Sequence, residues 1–166
     1  TGKKNLVFMG GCALNSSANT ALWKLFDMIW IMPNPGDAGS SLGAAAALYG
    51  KHLDWETPYL GYDLCGEYPV QEIVDTILKD GVAAVATGRA EYGPRALGNR
   101  SILADPRNPN IKDILNTKIK LRESFRPFAP AVLEEFSNEY FDLDYASPYM
   151  LNVVKAKQLA KNSVPS

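Results

Sequence analysis

Short apolar runs alternate with helix-patterned segments over the first fifty residues, and this alternation constrains the fold more than any other feature of the sequence. Residues 6–9 and 28–32 are apolar runs of strand length that end at glycine- or proline-rich turns, and the second run predicts a buried strand. Residues 16–26 and 42–48 follow them with helical patterns. The predicted helix ends are Ser16 or Ser17 and Ser40 or Ser41 as N-caps, and Gly50 as the end of the second helix. This β-α-β-α order predicts an α/β fold with helices packed on a parallel or mixed sheet.

A second unit is predicted to begin at Pro69. Residues 51–68 are polar and rich in Tyr, Gly and Pro, which is typical of a linker. Proline is favoured in the first turn of a helix, and apolar residues at helical spacing continue from here to Gly81. The elements predicted beyond Gly81 are strands at residues 82–86 and 101–104, a helix at residues 111–115 and an apolar run at residues 129–133. The predicted domains are therefore residues 1–50 and 69–166, joined by the linker.

The composition excludes several classes of protein. The 166 residues carry a net charge of −1, which argues against a protein whose whole surface coats nucleic acid or an anionic membrane. No apolar run approaches the ~18 residues of a membrane span, and no signal peptide is visible. Cys12 and Cys65 are too few for a disulfide scaffold or a structural zinc site, so we expect reduced, buried thiols of a cytosolic protein. His52 is the only histidine, so any nucleophile that depends on a histidine would have to use it.

One segment is strongly basic although the total charge is close to zero. Residues 89–126 hold nine Lys or Arg and four Asp or Glu, a net of +5, and the rest of the chain carries −6. The cations of interest form two groups, which are Arg89, Arg95 and Arg100 in a glycine-rich loop, and Lys118, Lys120, Arg122 and Arg126 in a helix and a loop. Guanidinium groups bind phosphate or carboxylate through paired hydrogen bonds, so the segment predicts a site for a small, multiply charged anion. A solvated basic face is the alternative, and without regularly interleaved aromatic residues the segment is not typical of a nucleic-acid track.

Two glycine-rich turns are candidates for ligand contacts. Gly10 and Gly11 stand between a strand and a helix, where paired glycines let the backbone approach a nucleotide closely. Asp37 stands between two glycines just before the next helix, which suits a metal ligand at the carboxyl edge of a sheet. A tight turn is the alternative for the first pattern, and a turn or N-cap residue is the alternative for the second. Cys12 fits a small buried thiol better than a nucleophile.

Four segments in this order resemble the carbamoyltransferase family: GGCALNSSAN, NPGDAGSSLGAA, GRAEYGPRALGNRSILADPR and KIKLRESFRPFAPAVL. The resemblance runs from Gly10 to about Tyr149. It implies that residues 1–50 are the end of an actin-like ATPase-type domain, related to enzymes that transfer threonylcarbamoyl to tRNA. The later residues would be part of an α+β domain similar to threonylcarbamoyladenylate synthase. The predicted fold class is thus α/β, with both domains partial.

The resemblance also implies an activity and a set of site residues. Members of the family carbamoylate hydroxyl groups of nodulation factors, aminoglycosides and cephalosporin precursors. Carbamoyl phosphate and ATP yield carbamoyladenylate, and the carbamoyl group then passes to the acceptor hydroxyl at a site linked to a divalent metal such as iron. By position in the motifs, the expected carbamoyl phosphate ligands are Arg95, Lys120 and Arg126, supported by Asn99 and Arg100. The family's nucleotide-proximal turn matches Gly10, Gly11 and Asn15, and its aspartate metal ligand matches Asp37.

The match departs from the family at two places. The paired histidines that complete the metal site lie upstream and are absent here, and His52 is in the wrong place to replace them. A later His-Val-Asp-Gly-Thr-Ala-Arg stretch would follow Ser166. We therefore expect a middle-to-late segment of a cytoplasmic enzyme, inactive by itself, whose partners are small molecules and not a membrane or nucleic acid. Unpaired strand edges in residues 1–50 make a homodimer one expected assembly.

Three other functions are compatible with parts of the sequence. An actin-like kinase or ATPase fragment would use Gly10, Gly11 and Asp37 but leaves the arginine-rich loop unexplained. A tRNA-modifying relative would be expected to carry a larger basic surface than one segment of +5. A non-catalytic binding module is the alternative from a different class, and it predicts no affinity for carbamoyl phosphate.

Overall fold

The computed structural model of the chain describes residues 2–143 and 145–164, and their contacts divide them into two units. The first unit contains the chain up to Gly66 together with Thr87–Arg100 and Ser147–Val153. The second contains Glu67–Ala86, Ser101–Ala146 and the chain from Val154 onward. The chain thus leaves and re-enters the first unit, and the domain limits 1–50, 51–68 and 69–166 stay predictions.

The first unit begins with the expected β-α-β-α order. Strand β1 (Asn5–Val7) pairs in parallel with β2 (Met28–Trp30), with Leu6 opposite Ile29. Helix α1 (Ser16–Leu22) connects them, and helix α2 (Ser40–Tyr49) follows β2. Gly50 ends α2 with a φ of +66°, a conformation that glycine adopts without strain. The α/β class is confirmed, and the actin-like and synthase-like domain types stay predictions.

The predicted N-caps of α1 and α2 are wrong, whereas Gly50 ends α2 as predicted. The Asn15 side chain caps α1 by accepting a hydrogen bond from the Ala18 N–H at 3.1 Å, so neither Ser16 nor Ser17 has that role. A 3-10 turn at Asp37–Gly39 runs directly into α2, and the Ser40 N–H bonds back to Asp37 within that turn. Because the turn already supplies an acceptor, α2 begins without a side-chain cap.

Two predictions of burial are also wrong. Met28 and Trp30 of β2 are 65% and 49% exposed, because this sheet has two strands and little to cover it. Of residues 28–32, only Met32 is buried. Cys12 and Cys65 are free thiols, as expected, but both are exposed rather than buried. Cys12 lies in the 3-10 turn Gly11–Leu14 between β1 and α1.

A short antiparallel pairing between segments distant in sequence adds the arginine-rich loop to the first unit. Strand β3 (Asp63–Leu64), which falls within the predicted linker, pairs antiparallel with β5 (Gly88–Arg89). The Gly61 N–H donates to the Ala90 carbonyl at 2.9 Å and extends the pairing. The chain segments before and after residues 70–86 therefore lie side by side in the first unit.

The second unit contains most of the elements predicted after Pro69. Helix α3 (Val70–Asp80) ends at Gly81, β4 (Val82–Ala86) pairs with β6 (Arg100–Ala104), and α4 (Ile111–Ile114) continues as a π-helical turn at Leu115–Ile119. The remaining elements are a 3-10 turn at Glu134–Phe136 and helices α5 (Ser137–Tyr140) and α6 (Gln158–Ser163). Residues 129–133 form no helix or strand. Among the described residues, no helix has both the length and the apolar character needed to cross a bilayer.

Candidate functional site

Three sequence motifs meet within the first unit. We call Thr87–Arg100 the arginine loop, residues 10–15 the first turn and residues 33–39 the second turn. The Arg95 Nη2 in the arginine loop donates to the Leu14 carbonyl of the first turn at 3.1 Å. A Cβ on Gly93 would lie only 2.9 Å from the Pro33 carbonyl oxygen, so the loop backbone rests directly on the second turn. Motifs separated by more than fifty residues in sequence therefore form one surface.

The two turns are joined to each other by backbone contacts. The Gly10 N–H donates to the Pro35 carbonyl at 2.7 Å, and Gly10 has a φ of +98° that favours glycine. Inside the second turn, a Cβ on Gly39 would lie 1.9 Å from the Asn34 carbonyl oxygen. Asn34 is buried, so its backbone has little room to move. Gly39 and Gly93 thus serve close backbone packing, whereas Gly10 is required by its backbone conformation.

Glu91 organises the arginine loop from within. Its Oε1 accepts three backbone hydrogen bonds, from the N–H groups of Leu97 at 2.7 Å, Asn99 at 2.8 Å and Arg100 at 3.2 Å. Partial burial raises the pKa of the Glu91 carboxyl, but the backbone N–H groups outweigh burial and hold that pKa below its ordinary value. Sequence reasoning missed this residue, although a single acid inside a basic glycine-rich loop was a usable signal.

The Arg100 side chain stabilises the same loop by donating hydrogen bonds to backbone carbonyl groups. Its Nη1 donates to the carbonyls of Thr87 and Asn99, and its Nη2 donates to those of Tyr62 at 3.0 Å and Gly88 at 3.1 Å. Four of its five N–H donors are therefore engaged with the backbone. The Asn99 Nδ2 likewise donates to the Arg89 carbonyl at 2.8 Å. A supporting role for Asn99 and Arg100 in carbamoyl phosphate binding stays a prediction.

Arg95 differs from the other loop residues because it has few internal contacts. Its side chain is half-buried, its Nη2 has the single contact with Leu14, and its Nε is buried without a hydrogen-bond partner among the described residues. Within the described ranges, no carboxylate lies within ion-pairing distance of it. Arg95 is therefore a positioned cation whose charge is not neutralised by a neighbour.

The second basic group lies in the second unit and is organised by Asn116. This fully buried side chain donates from Nδ2 to the carbonyls of Ser124 at 3.2 Å and Arg126 at 2.9 Å, and its Oδ1 accepts from Arg122 Nε at 2.7 Å. Arg126 Nε pairs with Glu123 at 2.9 Å, whereas Lys120 is exposed. Sequence reasoning missed Asn116, because a lone Asn after an apolar helix face carries no distinctive pattern.

A cavity of about 790 Å³ opens in the first unit and brings Gly10 and Asp37 to one site. Its walls are largely apolar and include Trp30 and Trp55. Gly11 and Asn15 belong to the same first turn but do not line the cavity. Asp37 is exposed at the start of the 3-10 turn, and the described residues contain no group of three His, Cys, Asp or Glu placed to hold a metal ion.

Comparisons with known proteins match both parts of the chain. Residues 74–166 match the family model described as carbamoyltransferase C-terminus, and residues 1–46 match carbamoyltransferase N-terminus. An uncharacterized protein of Synechocystis sp. is 40% identical over 95% of this chain and 31% of its own length. Nodulation protein U of Rhizobium tropici is 38% identical over 99% of this chain and 31% of its length. Nodulation protein NolO of Bradyrhizobium diazoefficiens is 38% identical over 98% of this chain and 35% of its length. The chain thus spans about a third of the length of these relatives.

Proposed function

We propose that this chain carries anion-binding residues of an enzyme that transfers carbamoyl groups, since it belongs to the carbamoyltransferase family. The proposed donor is carbamoyl phosphate, whose hydrolysis by water gives carbamate and inorganic phosphate. A carbamate oxygen then attacks the α-phosphorus of ATP, which forms carbamoyladenylate and releases pyrophosphate. The carbamoyl group then passes to a hydroxyl of a small molecule or glycan, and AMP leaves.

The observation that carries the proposal is that Arg95 is held in position and has no carboxylate partner among the described residues. Carbamoyl phosphate is a small dianion, and a guanidinium can hold its phosphate through two parallel hydrogen bonds. Arg95 is positioned by a braced loop and has no carboxylate partner in the described part of the chain. Such a cation is available to a ligand, whereas the four carbonyl contacts of Arg100 suit a supporting role. The expected roles of Lys120 and Arg126, which belong to the second unit, as carbamoyl phosphate ligands stay predictions.

The cavity in the first unit supports a role in binding the nucleotide. Its volume of about 790 Å³ falls within the range of small-molecule sites, ~300–1,000 Å³. A Cβ built on Gly10 or Gly11 would meet nothing within 4 Å, so the backbone of the first turn is open to a ligand. We propose that this turn, with Asn15 fixing the helix behind it, faces the nucleotide.

Asp37 by itself does not build the expected metal site. A divalent cation takes several protein ligands, and in the described residues Asp37 belongs to no group of three candidate side chains. We propose Asp37 as one ligand of that metal and assign no step of the reaction to the metal.

Kinetics of Arg95 variants in the complete protein that contains this chain would test the proposal. Arg95→Ala should raise the KM for carbamoyl phosphate ~10–100-fold, because charge-assisted bonds contribute ~1.5–3 kcal/mol each, and should leave the KM for ATP nearly unchanged. Arg95→Lys should also impair the use of carbamoyl phosphate substantially, since an ammonium cannot form the two parallel hydrogen bonds of a guanidinium. Arg107→Lys, at an exposed turn, is the matched control. Wild-type use of carbamoyl phosphate by both Arg95 variants would refute the assignment.

A further inference from the structure

Glu91 is the one acidic residue in the arginine loop, and its presence needs an explanation. A carboxylate beside a site for a dianion would repel the ligand if its charge faced the ligand. Glu91 is half-buried, and its Oε1 instead accepts three N–H groups of its own loop. The negative charge therefore interacts with N–H groups of the loop backbone and does not face the proposed ligand.

These three bonds determine the path of the chain beside the proposed ligand. They gather the N–H groups of Leu97, Asn99 and Arg100 onto one oxygen, and Gly98 between them has a φ of +119° that permits the turn. Arg100 holds carbonyls of the same loop from its own side chain. The backbone on the C-terminal side of Arg95 is thus fixed by one anion and one cation that both bind inward.

We propose that Glu91 is a positioning residue for carbamoyl phosphate, which sets the geometry of Arg95 and Asn99 through the loop backbone without touching the ligand. This inference rests on the proposed function of the loop. The rival role for Glu91 is that of a general acid or base. Three N–H donors on Oε1 favour the ionised carboxylate and oppose proton uptake at that oxygen.

Backbone hydrogen exchange would test the hold on the loop without any ligand. In the complete protein, Glu91→Ala should speed exchange of the amides of Leu97, Asn99 and Arg100 by ~10-fold or more, because each loses its acceptor. Glu91→Gln keeps an oxygen at the same reach and should change exchange by only a few-fold. Glu135→Gln, in an exposed turn of the second unit, is the control and should leave these amides unchanged. Unchanged exchange in Glu91→Ala would overturn the proposal.

Steady-state kinetics of the same variants would test the effect on the ligand. Glu91→Ala should raise the KM for carbamoyl phosphate ~10–100-fold at nearly constant KM for ATP, and Glu91→Gln should recover most of that loss. Equal loss of kcat in both variants would overturn the proposal in favour of acid–base chemistry. Faster exchange with an unchanged KM for carbamoyl phosphate would overturn it as well. If Arg95→Ala leaves carbamoyl phosphate use intact while Glu91→Ala abolishes it, the ligand assignment of Arg95 fails and the importance of Glu91 stands.

Discussion

Two glycines four residues apart should respond in opposite directions to the same substitution. Gly39 ends the 3-10 turn before α2, and its φ of −71° and ψ of −16° are open to any residue. The obstacle at Gly39 is packing, since an added Cβ would lie 1.9 Å from the Asn34 carbonyl oxygen, where ordinary contact is 3.4–4 Å. Gly43 lies inside α2, and a Cβ there would meet nothing within 4 Å.

The expected free energies follow from these surroundings. At Gly43 alanine should raise the free energy of unfolding by ~0.5–1 kcal/mol, because glycine is the poorer residue in a helix interior. At Gly39 the carbonyl of buried Asn34 must move by well over an ångström, and forcing such a shift in a packed region costs ~1–3 kcal/mol. The two variants should therefore differ in stability by ~1.5–4 kcal/mol.

Equilibrium unfolding in urea, followed by far-ultraviolet circular dichroism, would measure both variants against the wild type. Gly39→Ala should unfold at a lower urea midpoint and Gly43→Ala at a slightly higher one, with similar slopes. A Gly39→Ala variant as stable as Gly43→Ala would refute the packing argument and show that the second turn yields easily.

Three further outcomes are expected. Asn116→Ala should lower the free energy of unfolding by ~2–4 kcal/mol in thermal or urea unfolding, since it removes three hydrogen bonds at a fully buried site; a loss below ~1 kcal/mol would contradict this. Asp37→Asn should change the free energy of unfolding by less than ~0.5 kcal/mol, because Asp37 is exposed. In the complete protein the same variant should lower metal content and carbamoyl transfer and leave carbamoyladenylate formation intact. Loss of carbamoyladenylate formation with unchanged metal content would show that Asp37 is not a metal ligand. The lowered pKa of Glu91 stabilises the fold above its ordinary value of 4.5 and loses that effect as the pH falls through the lowered pKa. The stability difference between wild type and Glu91→Gln should therefore shrink below pH 4.5, and a difference that is constant with pH would contradict the role of the ionised carboxylate.

Local patterns in the sequence were sufficient for much of the fold. Strand β4 has the predicted bounds, and α3 begins after Pro69 and ends at Gly81 as expected, because proline, glycine and apolar spacing act over a few residues. The predicted N-caps at Ser16 and Ser40 are wrong because a local sequence pattern does not determine which residue caps the helix. Several adjacent residues can satisfy the first N–H groups of a helix, and the backbone turn that precedes the helix decides among them.

The organisation of the site was less accessible to sequence reasoning. Motifs identified the arginine loop and the two turns, and the family match confirms the resemblance that they predicted. They did not identify Glu91 or Asn116, whose roles depend on N–H and carbonyl groups brought together by the fold. Backbone hydrogen-bond partners leave no mark on residue type. Polar residues that organise a loop are therefore the hardest part of a site to find in one sequence.

The basic segment shows how the fold changes the meaning of a charge count. Residues 89–126 supply nine cations, and the structure engages six of them in hydrogen bonds or ion pairs within the protein: Arg89, Arg95, Arg100, Arg107, Arg122 and Arg126. A guanidinium that donates most of its hydrogen bonds to carbonyls or carboxylates holds a loop in place but contributes less to binding an external anion. Arg95 makes one hydrogen bond to a carbonyl and has no carboxylate partner among the described residues, so it is the cation of the arginine loop on which the proposed site most depends. Anion affinity should therefore respond more strongly to substitution of Arg95 than to an equal change in the net charge of the segment.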